Sequence, residues 1–251
     1  MPASRALEIC VESLESALAA QRGGAQRIEL CTALSEGGLT PSAGLIAACS
    51  RLEVECFVMI RPRGGDFLYS DSEFALMKDD IRHSRELGAD GIVLGILNAD
   101  GTVDVERTRT LVELAAPAPV TFHRAFDMTP DLDEALEAVI ATGAMRILTS
   151  GGSNSVPEGL DAITRIVQRA ADRIHIMPGS GIRPGNITHI ARTTGAREFH
   201  SSARGSHASE MQFRKPGIAM GDSAEREYTL YEASEETVRA LAQALAQLPA
   251  Q

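Results

Sequence analysis

Four segments of the chain repeat one pattern: GGAQRIELC (23–31), LGADGIVLG (87–95), TGAMRILTS (142–150) and TGAREFHSS (194–202). In each, a Gly-Ala pair precedes two mostly polar residues and a short apolar run. Gly-Ala after a helical segment reads as a helix C-cap that turns into a strand. Between the repeats lie four further strand candidates: LEICV (7–11), CFVMIRP (56–62), VTFHRAF (120–126) and RIHIMPG (173–179). Helix-like segments separate the strands, among them 11–22, 72–87, 131–142, 159–171 and 183–194. Eight strands alternating with helices argue for parallel strands joined in βαβ units. Short apolar strands fit burial on both faces. A chain of 251 residues has the length that eight such units need. The expectation is therefore an α/β protein, a (β/α)8 TIM barrel forming a single domain over 1–251. A doubly wound open sheet is the alternative. It usually needs a Gly-rich first turn, and the first strand here runs into VESLES instead.

Residues 205–229 break the rhythm and are expected to form an irregular segment after the eighth strand, long enough for a lid or an interface. SEETVRALAQALAQL (234–248) then reads as a closing amphipathic helix capped at Ser234.

Charge and cysteine usage narrow the function. The net charge is −10, spread along the chain, which disfavours nucleic acid and anionic membranes as partners. No apolar run approaches the ~18 residues of a membrane helix. Met1-Pro2-Ala3-Ser4-Arg5 leads straight into LEICV, with Glu8 inside it, so no secretory signal is expected. Cys10, Cys31, Cys49 and Cys56 then read as reduced thiols of a cytoplasmic protein, without zinc-finger spacing.

In such a barrel, functional groups sit at the C-terminal ends of the strands. The first two strands carry Glu8 with Cys10 and Glu29 with Cys31; spacing by two points each pair to one side. The third ends at Arg61, the fifth in His123-Arg124 with Asp127 beyond, and the sixth at Ser150. The seventh ends in PGSGI, with Gly179 and Gly181, and the eighth in His200-Ser201-Ser202. One reading is acid–base catalysis by Glu8, Glu29, His123, Asp127 and His200, in which His123 titrates near neutrality and Asp127 or Glu29 orients it. Arg61 and Arg124 would hold the anionic end of a substrate. Ser150, Gly179, Gly181, Ser201 and Ser202 would cradle its phosphate or carboxylate. A plainer reading pairs Glu8 and Glu29 with Arg61 or Arg124 as a structural network. A third reading is metal: Cys10 and Cys31, meeting across adjacent strands, suit Cu(I), because soft thiolates favour it. Ordinary barrel filling is the alternative for both thiols.

The stretches LEICVESLESALAAQRGGAQRIELC, SEGGLTPSAGLI, IRPRGGDFLYSDSEFALMKDDI, VTFHRAFDM, RILTSGG and EFHSSAR together resemble the CutC family of copper homeostasis proteins, from about Leu7 to Tyr231. The resemblance implies a cytoplasmic (β/α)8 barrel that forms a homo-oligomer and binds copper as Cu(I). It places the ligands at Cys10 and Cys31, with Glu36, Gly37 and Gly38 closing over them. The mouth nevertheless carries more arginine and histidine than one soft cation needs. An enzyme acting on a small phosphorylated or carboxylated metabolite therefore stands beside the copper reading.

Overall fold

The computed structural model describes residues 5–215, 217–218, 220 and 227–249. Met1–Ser4, and residues 216, 219 and 221–226 of the segment expected to be irregular, lie outside the described residues. Eight strands form one parallel sheet: β1 (Ala6–Val11), β2 (Arg27–Leu30), β3 (Glu55–Met59), β4 (Gly91–Leu94), β5 (Val120–Phe122), β6 (Arg146–Thr149), β7 (His175–Pro178) and β8 (Glu198–Ser201). Each pairs with its neighbour in sequence, and β1 pairs with β8. A parallel bridge between Gly179 and His200 joins β7 to β8 and closes the ring. Helices α1 (Leu14–Gly23), α2 (Ala43–Cys49), α3 (Asp71–Glu86), α4 (Val105–Ala115), α5 (Leu132–Thr142), α6 (Leu160–Ala170), α7 (Ile187–Thr194) and α8 (Glu235–Ala246) follow the strands in turn. The (β/α)8 barrel read from the sequence is the fold.

Local chemistry sets the element ends. Ser13, Ser42, Ser70, Asp104, Asp131 and Ser234 each accept a backbone N–H at a helix start. Such caps stabilise by about 1 kcal/mol each. At the other end, the glycine of each repeat takes left-handed backbone: φ is 91° at Gly24, 97° at Gly88, 85° at Gly143 and 69° at Gly195. That conformation costs a glycine little and lets the chain turn at once into the next strand.

The structure corrects several expected boundaries. The first helix starts at Leu14 rather than residue 11, because Val11 is still in β1 and Ser13 caps. The helix expected from 183 starts at Ile187. Asn186 Oδ1 accepts from Arg183 N, and Asn186 Nδ2 donates to Gly181 O, which holds 181–186 as a turn. The strand expected at 120–126 stops at Phe122, because His123 Nδ1 accepts from Ala125 N and opens a 3-10 turn over Arg124–Met128. Part of the segment expected to be irregular is ordered: β9 (Arg204–Ala208) pairs antiparallel with β10 (Thr229–Ala233). GSHAS lacks the polar–apolar alternation that would announce a strand.

The barrel interior is filled in layers, as alternate strands of such barrels fill it. Apolar side chains dominate outside the ring, where strands meet helices. Inside, the lowest even-strand layer is Arg27, Gly91, Arg146 and Glu198, which is the fourth position of every repeat counted from its glycine. Gly91 has no side chain, and Phe57 takes its space: a Cβ there would lie 2.5 Å from the ring. Phe57 in turn sits under two guanidinium groups, with Arg27 Cζ 4.9 Å and Arg146 Cζ 5.0 Å from its centroid.

These charges are paired. Glu198 accepts from Arg146 Nε at 2.9 Å and from Arg27 Nη2, while Arg27 Nε donates to Glu8. His200 Nδ1 donates to the other oxygen of Glu8 at 2.7 Å. A line of alternating charge thus climbs from Arg146 through Glu198, Arg27 and Glu8 to His200. Removing one member strands its neighbours in a dry interior, which costs about 3–5 kcal/mol. Glu198→Gln is therefore expected to lose about that much stability in urea unfolding. Glu137→Gln, which breaks the exposed Arg173 pair, should stay within about 1 kcal/mol of the parent.

Candidate functional site

A cavity of about 900 Å³ opens at the C-terminal end of the strands. Of the catalytic, binding and metal residues expected at the mouth, Glu8, Cys31, Ser150 and Gly179 are buried outside its lining, and the others line it.

The floor lies where the charge line ends. Burial alone would raise the Glu8 carboxyl, but Arg27 and the bond from His200 outweigh it and hold the group at about 2. Burial opposes the charged form of His200, yet Glu29 and Glu8 together raise its pKa. Glu29 Oε2 lies 3.9 Å from His200 Nε2. Glu29 itself is raised, chiefly by burial, with His200 opposing. Its Oε1 is buried and has no hydrogen-bond partner among the described residues. The expected pairing of Glu8 and Glu29 with Arg61 or Arg124 is not what forms. Arg27 takes Glu8, and Arg61 donates to the carbonyls of Glu36, Gly38 and Gly65. Arg61 thereby fastens the Leu34–Glu36 turn and its two glycines over the cavity.

His123 differs from expectation. Burial first, then the Arg61 charge, pushes its pKa down to about 3, so it is neutral at physiological pH. A backbone N–H can only donate, so Nδ1, which accepts from Ala125, carries no proton. The proton is on Nε2, which is buried and has no acceptor among the described residues. Phe67 flanks the ring at 5.0 Å between centroids. Asp127 does not orient it. That carboxylate accepts instead from Arg124 Nε at 2.8 Å, Ser150 N at 3.0 Å, Gly152 N at 3.0 Å and the Thr149 hydroxyl. Asp127 braces the loop after β6 and fixes Arg124, whose Nη2 donates to Ser150 Oγ at 2.7 Å.

At the seventh and eighth strand ends, Ser201 Oγ is spent on Ile182 O at 3.0 Å. Ser202 and Gly181 line the cavity, and Gly179 carries the ring-closing bridge.

The thiols converge below Leu34 and Met59. Cys10 Sγ and Cys31 Sγ are 3.7 Å apart, both buried. A Glu29 oxygen joins them in a group whose donor atoms all lie within 4.8 Å of one another. The Cys31 hydrogen bond, burial and Glu29 all push the Cys10 thiol well above its ordinary range. The second carboxylate–imidazole group, Glu8, Glu29 and His200, is largely committed to the charge line. Two soft sulfurs this close fit a Cu(I) ion, which favours thiolate ligands.

Comparison with known proteins meets this geometry. The model of the CutC family matches residues 5–205. The chain belongs to the CutC family. A CutC family protein of Chromobacterium violaceum is 54% identical over 240 residues, covering 95% of this chain and 97% of that one. The human copper homeostasis protein cutC homolog is 51% identical over 226 residues, covering 89% and 83%. The crystal structure of the putative copper homeostasis protein CutC from Streptococcus agalactiae superposes with a TM-score of 0.75 at 35% identity, over 79% of this chain and 98% of that one. No helix among the described residues is long and apolar enough to cross a membrane.

Sequence reasoning missed Arg27, Arg146, Glu198 and Arg183. The first three share the fourth position of the repeat, and that recurrence was the available signal.

The low pKa of His123 makes a pH prediction. Its folded value, about 3, lies below the 6.5 of a free imidazole, so the unfolded chain binds the proton first. Its contribution to stability is complete above pH 6.5 and is lost as pH falls through that window towards 3. Unfolding free energies measured across it should fall with pH in the parent and fall less steeply in His123→Phe.

Proposed function

We propose that this protein binds Cu(I) through the thiolates of Cys10 and Cys31, with the Glu29 carboxyl, whose pKa burial raises, beside them to take up a displaced thiol proton. The observation that carries the reading is the 3.7 Å approach of two buried thiols from adjacent strands. Soft sulfur selects Cu(I), and the apolar surround of Phe57, Met59 and Val93 excludes water that would compete for the ion. Binding displaces thiol protons, so the metal enters a site that is neutral when empty. The copper homeostasis names of the human and streptococcal relatives agree with this role, and the cytoplasmic location expected of the chain would keep both thiols reduced. A homo-oligomer of such chains is compatible with it.

Purified, reduced protein titrated against a competing Cu(I) chelator is expected to hold one ion per chain. Changing both Cys10 and Cys31 to serine should cost a hundredfold or more, since even supporting residues around a metal are worth about 10–100-fold. Cys49→Ser, elsewhere in the core, should change nothing. Equal affinity of the double variant and the parent removes this reading.

One observation favours a second reading. Glu29 Oε1 and His123 Nε2 are buried polar atoms without partners among the described residues, and both residues line the same cavity. A group that accepts a proton and one that donates a hydrogen bond, lining one cavity, suit proton transfer next to a carbonyl in a small anionic metabolite. Deuterium uptake from D2O into phosphorylated oxo acids, followed by proton NMR and lowered in Glu29→Gln, would support it; no uptake with any of them counts against it.

A further inference from the structure

The cavity above the thiols is more positive than the chain that builds it. Its lining includes Arg61, Arg124, Arg183 and Arg204 against Glu29, Glu36 and Asp127, although the whole chain carries a net charge of −10. Asp127 is already taken by Arg124, and Arg204 by Glu12. The Arg183 side chain makes no ion pair among the described residues and stands where the turn of residues 181–186 enters α7. In that turn the N–H groups of Gly181 and Ile182 find no acceptor among the described residues. Such a turn alone would not define a site. The second observation is His123: 4% exposed, lining the same cavity, with its Nε2–H unspent. The bond from Ala125 fixes that proton on Nε2, and Arg61 lies close enough to depress the imidazolium form. A neutral N–H beside a fixed positive charge is a receptor for an oxygen carrying negative charge.

We propose that the mouth binds a small organic acid bearing a phosphate group: its carboxylate or carbonyl oxygen accepts from His123 Nε2–H beside Arg61, and its phosphate rests on Gly181, Ile182 and Arg183. A volume of about 900 Å³ takes a molecule of that size. The assignment gives the proton-transfer reading its substrate class. It rests on that reading for turnover only, because binding is measured separately, and it is independent of copper below.

Phosphoglycolate, which has both ends, is the probe; glycolate and inorganic phosphate are its halves. Calorimetry is expected to show phosphoglycolate binding at least tenfold tighter than either half. Protein labelled with 15N at histidine should show one Nε2–H resonance, absent in His123→Phe, that shifts with phosphoglycolate and glycolate but not with phosphate. His123→Phe should lower phosphoglycolate affinity towards that of phosphate while leaving phosphate itself unchanged. His123→Gln, which keeps a side-chain N–H, should recover part of the loss, and Arg183→Ala should weaken phosphate and phosphoglycolate alike. Thermal unfolding of each variant confirms folding, and the probe comparison on the parent stands even if a variant fails to fold. Binding without deuterium uptake upholds this site and removes the proton-transfer reading alone. Phosphoglycolate no tighter than its halves, or unaffected by His123→Phe, overturns the proposal.

Discussion

The structure depends on a column of charge that runs up the inside of the barrel. Arg146, Glu198, Arg27, Glu8 and His200 come from four different strands, and each partner neutralises the next. A dry interior tolerates ions only when they are matched in this way. The column therefore fixes the relative height of β1, β2, β6 and β8, since sliding one strand by a residue turns its charged side chain out of the barrel. It also delivers His200 to the mouth as a group biased towards its charged form, with Glu29 next in line. Fold and site are two ends of one electrostatic arrangement.

Much of the architecture is legible in the sequence. Helix C-cap, strand and helix recur with enough regularity to name the barrel, and most strand ends were placed within a few residues. The column was not legible. Arg27, Arg146 and Glu198 read as the polar entry to a strand, where solvent exposure is the usual fate. Only closure of the ring turns these positions inward. Their common place in the repeat was the clue, and Gly91 at the same place disguised it, because there Phe57 from the neighbouring strand fills the layer instead.

At the mouth, most of the residues expected there line one cavity, but the sequence does not reveal their state. His123 and Asp127, three apart, look like an imidazole and its orienting acid. Burial and a backbone amide decide otherwise: the ring is a neutral donor, and Asp127 is fully occupied in bracing a loop. Cys10 and Cys31 lie on β1 and just past β2, and their approach depends on register. Cys10 pairs with Glu29, so Cys31 stands one inward step higher and its sulfur leans back over Cys10.

The ring has one sparse join. Seven of its contacts are ladders of two to four residue pairs, whereas β7 and β8 share a single bridge, between Gly179 and His200. That seam lies at the floor of the cavity, with the Gly181–Arg183 turn past one strand and Ser202 past the other. A molecule seated on that turn braces one side only, so closure of the ring stays with the Gly179–His200 pair. His200 is therefore the pin of the ring as well as the head of its charges: one residue closes the sheet and ends the interior column.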